Sequence, residues 1–322
     1  MKKELSVLET IKAIDDAKKY FERQLEDRLS LTKVQSPLFV REDSGLQDAL
    51  SGVEKSVRFQ KDDDTFEVVH SLAKWKRDAL ERYSFPMHTG LYTDMKAIRK
   101  DEEVDDIHSL FVEQWDWEKV IKKEDRTIEY LKDTVRRIYK AFLETFSYVR
   151  DKYTICDIKY PRKVTFITSQ ELEDLYPDKT PKEREKLFVK DKKAVFIIGI
   201  GDKLKSGIVH DLRSPDYDDW QLDGDLLIYD SLIDKAVEIT SMGIRVDKKS
   251  LLSQLEKSHC LDRLKLPYHQ KIYDGKMPYT IGGGIGESRV LMLLLGKSHI
   301  AEVQASSWQD KVLSELHEKI VL

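Results

Sequence analysis

The sequence predicts an α+β protein, an antiparallel β-sheet flanked by helices, arranged as one domain over residues 1–322. Two observations carry that reading. Stretches with strand character come as near neighbours, 91–99 beside 108–117 and 225–229 beside 236–245, without regular strand–helix–strand alternation. Segments with apolar residues at helical spacing lie around them, long enough to cover a sheet.

Up to about residue 30, Val7, Ile11, Ile14, Phe21 and Leu25 recur at helical spacing with charges between them. A short extended piece at 31–34 leads to Pro37. Residues 66–70 read as a strand, and 91–99 and 108–117 as two more, separated by an acidic turn at 101–106. The clearest helix runs from Thr127 to about Arg150, with Ile128, Leu131, Val135, Ile138, Phe142, Phe146 and Val149 on one face. Thr168-x-x-Glu171 and Thr180-Pro181-x-Glu183 have the form of helix starts, the second with proline at the first helical position. Residues 194–200, 225–229 and 236–245 read as strands of a central sheet. The glycine run 282–286 then reads as a tight strand-to-helix turn into a buried apolar helix, 288–295.

Charge and cysteine content narrow the function classes. Fifty-five Lys and Arg against 59 Asp and Glu leave a net charge of −4, which argues against a protein whose main task is to coat nucleic acid or an acidic membrane. Cys156 and Cys260 make no disulfide framework and no paired metal-ligand spacing, so a reducing, cytoplasmic setting is expected. The start Met1-Lys2-Lys3-Glu4 leads into a charged segment without a secretory apolar stretch. The longest apolar runs, 194–198 and 290–295, are far too short to span a bilayer.

Three stretches can carry chemistry. In Gly282-Gly283-Gly284-Ile285-Gly286-Glu287-Ser288-Arg289 the glycines permit close approach of backbone to a ligand, and Arg289 in the first helical turn can grip phosphate oxygens. The run is neither a Walker A loop nor a dinucleotide fingerprint. In 108–118 the period of two puts Gln114, Asp116 and Glu118 on one strand face and Glu113, Trp115 and Trp117 on the other. The polar face is either solvated or the floor of a pocket over an aromatic core. The third stretch holds Asp211, Asp216, Asp218, Asp219, Asp223 and Asp225, most of them read as turn residues or solvated charge. Asp225, at a strand start, and Glu238, on the next strand, are a carboxylate pair able to hold Mg²⁺ that is otherwise coordinated by nucleotide phosphates. No nucleophile elbow, zinc helix or cysteine signature competes.

In order, these stretches resemble the three signature motifs of the class II aminoacyl-tRNA synthetase catalytic core. The first helix, short strand and Pro37 are similar to the dimer-forming motif 1. Arg99-x-x-Glu102 with the strand Phe111-Val112-Glu113-Gln114-Trp115-Asp116 is similar to motif 2, and the glycine run ending in Arg289 to motif 3. The strings Gln47-Asp48-Ala49-Leu50-Ser51-Gly52, Val68-Val69-His70-Ser71-Leu72-Ala73-Lys74-Trp75-Lys76-Arg77, Arg213-Ser214-Pro215-Asp216-Tyr217-Asp218-Asp219-Trp220 and Ser241-Met242-Gly243-Ile244-Arg245-Val246-Asp247 resemble those of the ammonia-dependent asparagine synthetase (aspartate–ammonia ligase) family over essentially the whole chain.

The resemblance implies a homodimer that activates aspartate with ATP as β-aspartyl-AMP, releases pyrophosphate, and forms asparagine with ammonia. It implies no nucleic-acid or membrane partner and no appended anticodon-binding domain. Arg99 is expected at the α-phosphate, Arg289 at the far phosphates and Glu102 at the adenine or bent triphosphate. Ser109, Val112, Gly284 and Gly286 are expected beside the nucleotide, with Mg²⁺ on Asp225 and Glu238. Asp48, Asp116 and Asp218 are assigned to the ammonium groups of substrate and incoming nitrogen, with Asp218 as proton acceptor. Ser71, Lys76, Gln114, Ser241 and Arg245 are assigned to the substrate carboxylates. Without the resemblance, Asp48 and Lys76 read as a surface salt bridge. The alternatives are a stand-alone amino-acid-adenylating enzyme, or a non-catalytic sensor of aspartate or asparagine.

Overall fold

The computed structural model describes residues 5–50, 54–153, 158–316 and 319–320; residues 1–4, Ser51, Gly52 and Cys156 lie outside the described residues. In chain order the elements are α1 (Val7–Leu29), β1 (Leu31–Lys33), β2 (Phe39–Arg41), β3 (Arg58–Lys61), β4 (Asp64–Val68), α2 (Ala73–Arg82), β5 (Gly90–Ile98), β6 (Phe111–Val120), α3 (Ile128–Tyr153), β7 (Thr165–Thr168), α4 (Ser169–Leu175), α5 (Pro181–Lys192), β8 (Ala194–Ile198), β9 (Asp218–Asp230), β10 (Lys235–Arg245), α6 (Lys248–Lys257), α7 (Pro267–Tyr273), β11 (Thr280–Gly286), α8 (Glu287–Leu295) and α9 (Asp310–Leu316). Eight strands form the main sheet in the order β1-β5-β6-β11-β10-β9-β8-β7. Its interior is antiparallel, and only the outermost pairs, β1–β5 and β7–β8, are parallel. A small antiparallel sheet, β2-β4-β3, stands apart from it; of its strands only β4 has a clear pattern in the sequence.

Thr168 with Glu171 and Thr180 with Glu183 form capping boxes at the expected helix starts, and Ser6 with Glu9 forms another at α1; each satisfies amide donors that the first turn leaves open. The faces of α1, α3 and α8 then cover one side of the sheet. Leu131, Val135, Ile138, Phe142, Phe146 and Val149 of α3 are buried as the helical spacing requires. Trp115 and Trp117 of β6 point into the same core, where Phe21 of α1 lies 4.6 Å from Trp115 between ring centres. Each such large side chain contributes about 1.5–3 kcal/mol by leaving water. Among the described residues no helix is long and apolar enough to cross a membrane.

Two expectations change. The glycine run is not a turn: β11 is a central strand through Gly286, and α8 begins at Glu287 directly after it. Asp225 stands in the middle of the long strand β9 rather than at a strand start.

Candidate active site

The side of the sheet facing away from α1 and α3 carries the polar residues. Cross-strand pairing sets them in rows. Asp116 on β6 is opposite Gly284 on β11, Gly284 is opposite Ser241 on β10, and Ser241 is opposite Asp225 on β9. In the next row Glu118 is opposite Gly282, and Gly282 is opposite Gly243. The glycines are there because side chains from the neighbours lie across them. A Cβ on Gly282 would stand 1.9 Å from Glu118 Oε2 and 2.7 Å from Arg245 Nη2; one on Gly284 would stand 2.5 Å from Gln114 Oε1. The polar face of β6 is therefore a covered floor rather than a solvated surface.

The bare strand lets Arg245 reach across it. Arg245 is 1% exposed and donates from Nε and Nη2 to Glu118 (3.0 and 2.7 Å) and from Nη1 to Asp218 (2.5 Å). Lys76, also buried, comes from α2 to the same floor and donates to Asp116 Oδ1 (2.6 Å) and to the Gly283 carbonyl (3.0 Å). Burial raises the Asp218 carboxyl above the usual range, against the pull of Arg245.

Above this floor is a cavity of about 390 Å³. It brings together nearly all residues expected at the site. Arg99, Glu102, Ser109, Val112, Glu238, Gly284, Gly286 and Arg289, the residues expected beside nucleotide or metal, line it. Ser71, Lys76, Gln114, Asp116, Asp218, Ser241 and Arg245 line it as well. Arg289 donates from Nε to the Ile107 carbonyl (3.2 Å) and from Nη1 to the Glu238 carbonyl (3.1 Å), which fixes the plane of its fork and leaves both N–H groups of Nη2 and one of Nη1 as further donors. Arg99 has a buried Nε with no partner among the described residues. Loss of water lowers its pKa, Glu102 opposes the shift, and the neighbouring charge of Arg289 adds to it. Two guanidinium groups near enough to repel one another, lining one cavity, form a site that favours a polyanion.

Asp48 and Asp225 are set back from that cavity. Asp48 is fully buried and accepts from Ser71 Oγ (2.5 Å), Ala73 N–H (2.7 Å) and Lys74 N–H (3.4 Å) at the start of α2. It is not a surface charge and not the partner of Lys76. Asp225 Oδ2 accepts from Arg213, while its Oδ1 is buried without a partner among the described residues. Burial pushes the Asp225 carboxyl up; Arg213 opposes this and Glu238 reinforces it. The acidic stretch departs most from expectation. Asp216, Asp218, Asp219, Asp223 and Asp225 are all buried and held by Arg or Lys side chains or main-chain donors, not solvated.

Several lining residues carry no assignment from sequence. Arg213 and Tyr217 lie within a family-like string, so the string locates them without revealing their role. Asp211 belongs to the acidic stretch but has no role assigned, while Lys182 on α5 and Gln304 reach the cavity from distant parts of the chain and have no local signal.

Among the described residues one group of three carboxylates has oxygens within 4.8 Å of one another: Asp94, Glu113 and Glu287. They sit on the helix-covered side with two lysines, Lys96 on Asp94 (2.8 Å) and Glu113 (2.5 Å), and Lys18 on Glu287 (2.5 Å). The trio thus has cations of its own. Burial pushes Glu287 up to about 8, against Lys18 and with Asp94 adding to the rise. A carboxyl raised in the folded state stabilises below its unfolded pKa and loses that contribution as pH climbs through the folded value. Glu287→Gln is therefore expected to match the parent near pH 4.5 and to exceed it in stability above pH 8 by on the order of 1 kcal/mol, as read from urea unfolding across pH.

The chain is similar to known proteins over nearly its whole length. The family model described as aspartate-ammonia ligase matches residues 8–320. The aspartate–ammonia ligase of Clostridium tetani is 54% identical over 321 residues, covering 99% of this chain and 94% of the relative. That of Lactobacillus johnsonii is 53% identical over 313 residues, covering 96% of this chain and 93% of the relative. Among solved structures, asparaginyl-tRNA synthetase of Pyrococcus horikoshii complexed with asparaginyl-adenylate superposes with a TM-score of 0.67 at 12% identity, over 91% of this chain and 67% of that one. The corresponding Entamoeba histolytica synthetase with asparaginyl-adenylate gives 0.63 at 14% identity, over 92% of this chain and 66% of that one. At such identities the likeness shows the fold.

Proposed function

The chain belongs to the aspartate–ammonia ligase family, whose reaction is the ATP-dependent conversion of aspartate and ammonia to asparagine, and from that premise we propose how its own residues divide the work. The stand-alone adenylating enzyme and the sensor are not favoured by these relatives. The observation that carries the assignment is the convergence of Arg99 and Arg289 on a cavity whose floor offers both signs of charge.

In the first half-reaction an oxygen of aspartate's side-chain carboxylate attacks the α-phosphorus, and the bond to pyrophosphate breaks. Arg99 neutralises the α-phosphate as charge develops there, and Arg289 holds the outer phosphates so that the triphosphate bends between them. Glu102 and the backbone of Gly284 and Gly286 position the nucleotide, with Ser109 and Val112 beside it. Asp116, fixed by Lys76, takes the substrate's ammonium group. Lys76, Gln114, Ser71 and Ser241 take the carboxylates, and Arg245 holds Asp218 in place. In the second half-reaction the nitrogen attacks the acyl carbon, the bond to AMP breaks, and Asp218 accepts a proton from the new C–N centre.

The residues fit a divalent cation. Asp225 has an orphaned buried oxygen, and Arg213 and Lys182 stand among four carboxylates, Asp225, Glu238, Asp211 and Asp223. Asp225 and Glu238 would hold Mg²⁺, which supplies charge neutralisation for the departing pyrophosphate. A homodimer through α1 and β1 is supported by exposed Leu8 and Ile11 on α1. A cytoplasmic setting is supported by the low cysteine content of the sequence and by Cys260, which is a free thiol.

Product analysis with ATP, Mg²⁺, aspartate and ammonium, and without glutamine, tests the reading. Asparagine, AMP and pyrophosphate in equal amounts are expected. AMP release that does not respond to ammonium would overturn it.

A further inference from the structure

A second cavity, of about 210 Å³, lies behind the first and shares Glu54 with it. Its rim carries the exposed pair Glu42 and Arg58, joined at 2.8 Å, and its depth holds Asp48, His70 and His269. The wall between the cavities is thin. Asp48 lines the second, Ser71 and Ala73 line the first, and Asp48 Oδ2 accepts directly from both of them. Five carboxylate side chains against three cationic ones line the second cavity, a balance that favours a small cation.

His269 is the feature that points to a ligand. It is completely buried, and its Nε2 lies 2.8 Å from Asp216 Oδ2. Asp216 also accepts from Lys74 (3.1 Å), Arg263 (2.9 Å) and Ser214 (2.8 Å), and these partners hold it well below the usual carboxylate range against its burial. An ionised acceptor at Nε2 fixes the proton on that nitrogen, so Nδ1 carries a lone pair. That Nδ1 is buried and without a partner among the described residues, and it lies 3.5 Å from where a Cβ on Gly45, another lining residue, would stand. The groups around the ring are Asp216, Lys74 and Arg263; burial, with the two cations, keeps His269 below its ordinary pKa despite Asp216, so it is neutral near pH 7.

The second half-reaction needs such a group. Ammonium must lose one proton to gain a lone pair, and the attacking ammonia must lose another to become an amide. In that step the proposed function places the nucleotide in the first cavity, where it would obstruct entry from that side. We propose, resting on the function assigned above, that the second cavity is the ammonium entrance: ammonium passes the Glu42–Arg58 rim, gives a proton to His269 Nδ1, and continues as ammonia past Asp48 and Ser71 to the acyl-adenylate. The imidazolium returns its proton to water in the cavity. Asp218 takes the second proton on the catalytic side.

His269→Gln keeps an N–H for Asp216 and replaces the basic ring nitrogen with a carbonyl oxygen that does not take up a proton near pH 7. The ammonium KM of this variant is expected to rise about tenfold or more, with aspartate-dependent pyrophosphate exchange unchanged. The deficit shrinks as pH approaches the pKa of ammonium, where solution supplies free ammonia. Hydroxylamine, already neutral near pH 7, is expected to form aspartyl hydroxamate with a KM within about twofold of the parent's. Ala49→Leu, which places a branched side chain in the same cavity, raises the KM of both nucleophiles and spares the exchange. An unchanged ammonium KM in both variants overturns the entrance. A His269→Gln defect that is equal for ammonium and hydroxylamine, or that extends to the exchange, overturns the proton transfer. If the parent itself makes no ammonium-dependent asparagine, the assigned function fails instead.

Discussion

Replacing Arg289 with alanine is expected to lower aspartate-dependent pyrophosphate exchange by about a thousandfold, with the fold retained. The size follows from geometry. Two of the three guanidinium nitrogens are already fixed on the Ile107 and Glu238 carbonyls, so the fork is set before ATP arrives, and in the proposed assignment its three other N–H groups would meet the phosphates without reorganisation. The substitution removes those donors and a full positive charge from a cavity whose other arginines are Arg99, Arg213 and Arg245. Two carbonyl hydrogen bonds are lost with it, about 1 kcal/mol each, which lowers the melting temperature by only a few degrees. Arg289→Lys restores charge but not the two-carbonyl brace, and a partial rescue of about tenfold is expected. Exchange rates and melting curves on the same preparations check the split. Unchanged exchange in the alanine variant would mean that the phosphates bind elsewhere.

Arg245→Met carries the largest expected loss of stability. Arg245 is the single cation bonded to both Glu118 and Asp218 on the cavity floor, and all three are almost completely buried. Removing one member of a buried ionic group leaves the others uncompensated, at about 3–5 kcal/mol, enough to unfold many domains at moderate temperature. A second change, Glu118→Leu, removes one of the stranded charges and is expected to recover part of the loss. The coupling is read as a double-mutant cycle in urea. Strict additivity of the two changes would show that the network is not a unit.

Much of this arrangement is legible in the sequence. The α3 stripe and the alternation in β6 are strong because burial on one side of an element imposes its own period, 3.6 or 2. Most of the expected site residues, from Asp48 to Arg289, are recognisable because their strings are family-like, and the cavity gathers all the expected residues except Asp48 and Asp225. What sequence hides is set by cross-strand partners. Gly282, Gly283 and Gly284 have turn propensity, yet they form a strand because Glu118, Gln114 and the backbone of β10 leave no room for a Cβ. The aspartates from 216 to 225 look solvated until Arg245, Arg213, Lys74 and Arg126 arrive from other elements to neutralise them. Lys182 enters from α5 with nothing around it to announce the cavity.

The three consecutive glycines of β11 also limit how this enzyme can diverge. A stretch with no side chains offers nothing to exchange, and any addition there collides with its neighbours before it meets a substrate. A descendant that accepted a longer or differently charged acid would have to recut its bed from β6, β10 or α2 and leave the middle strand untouched.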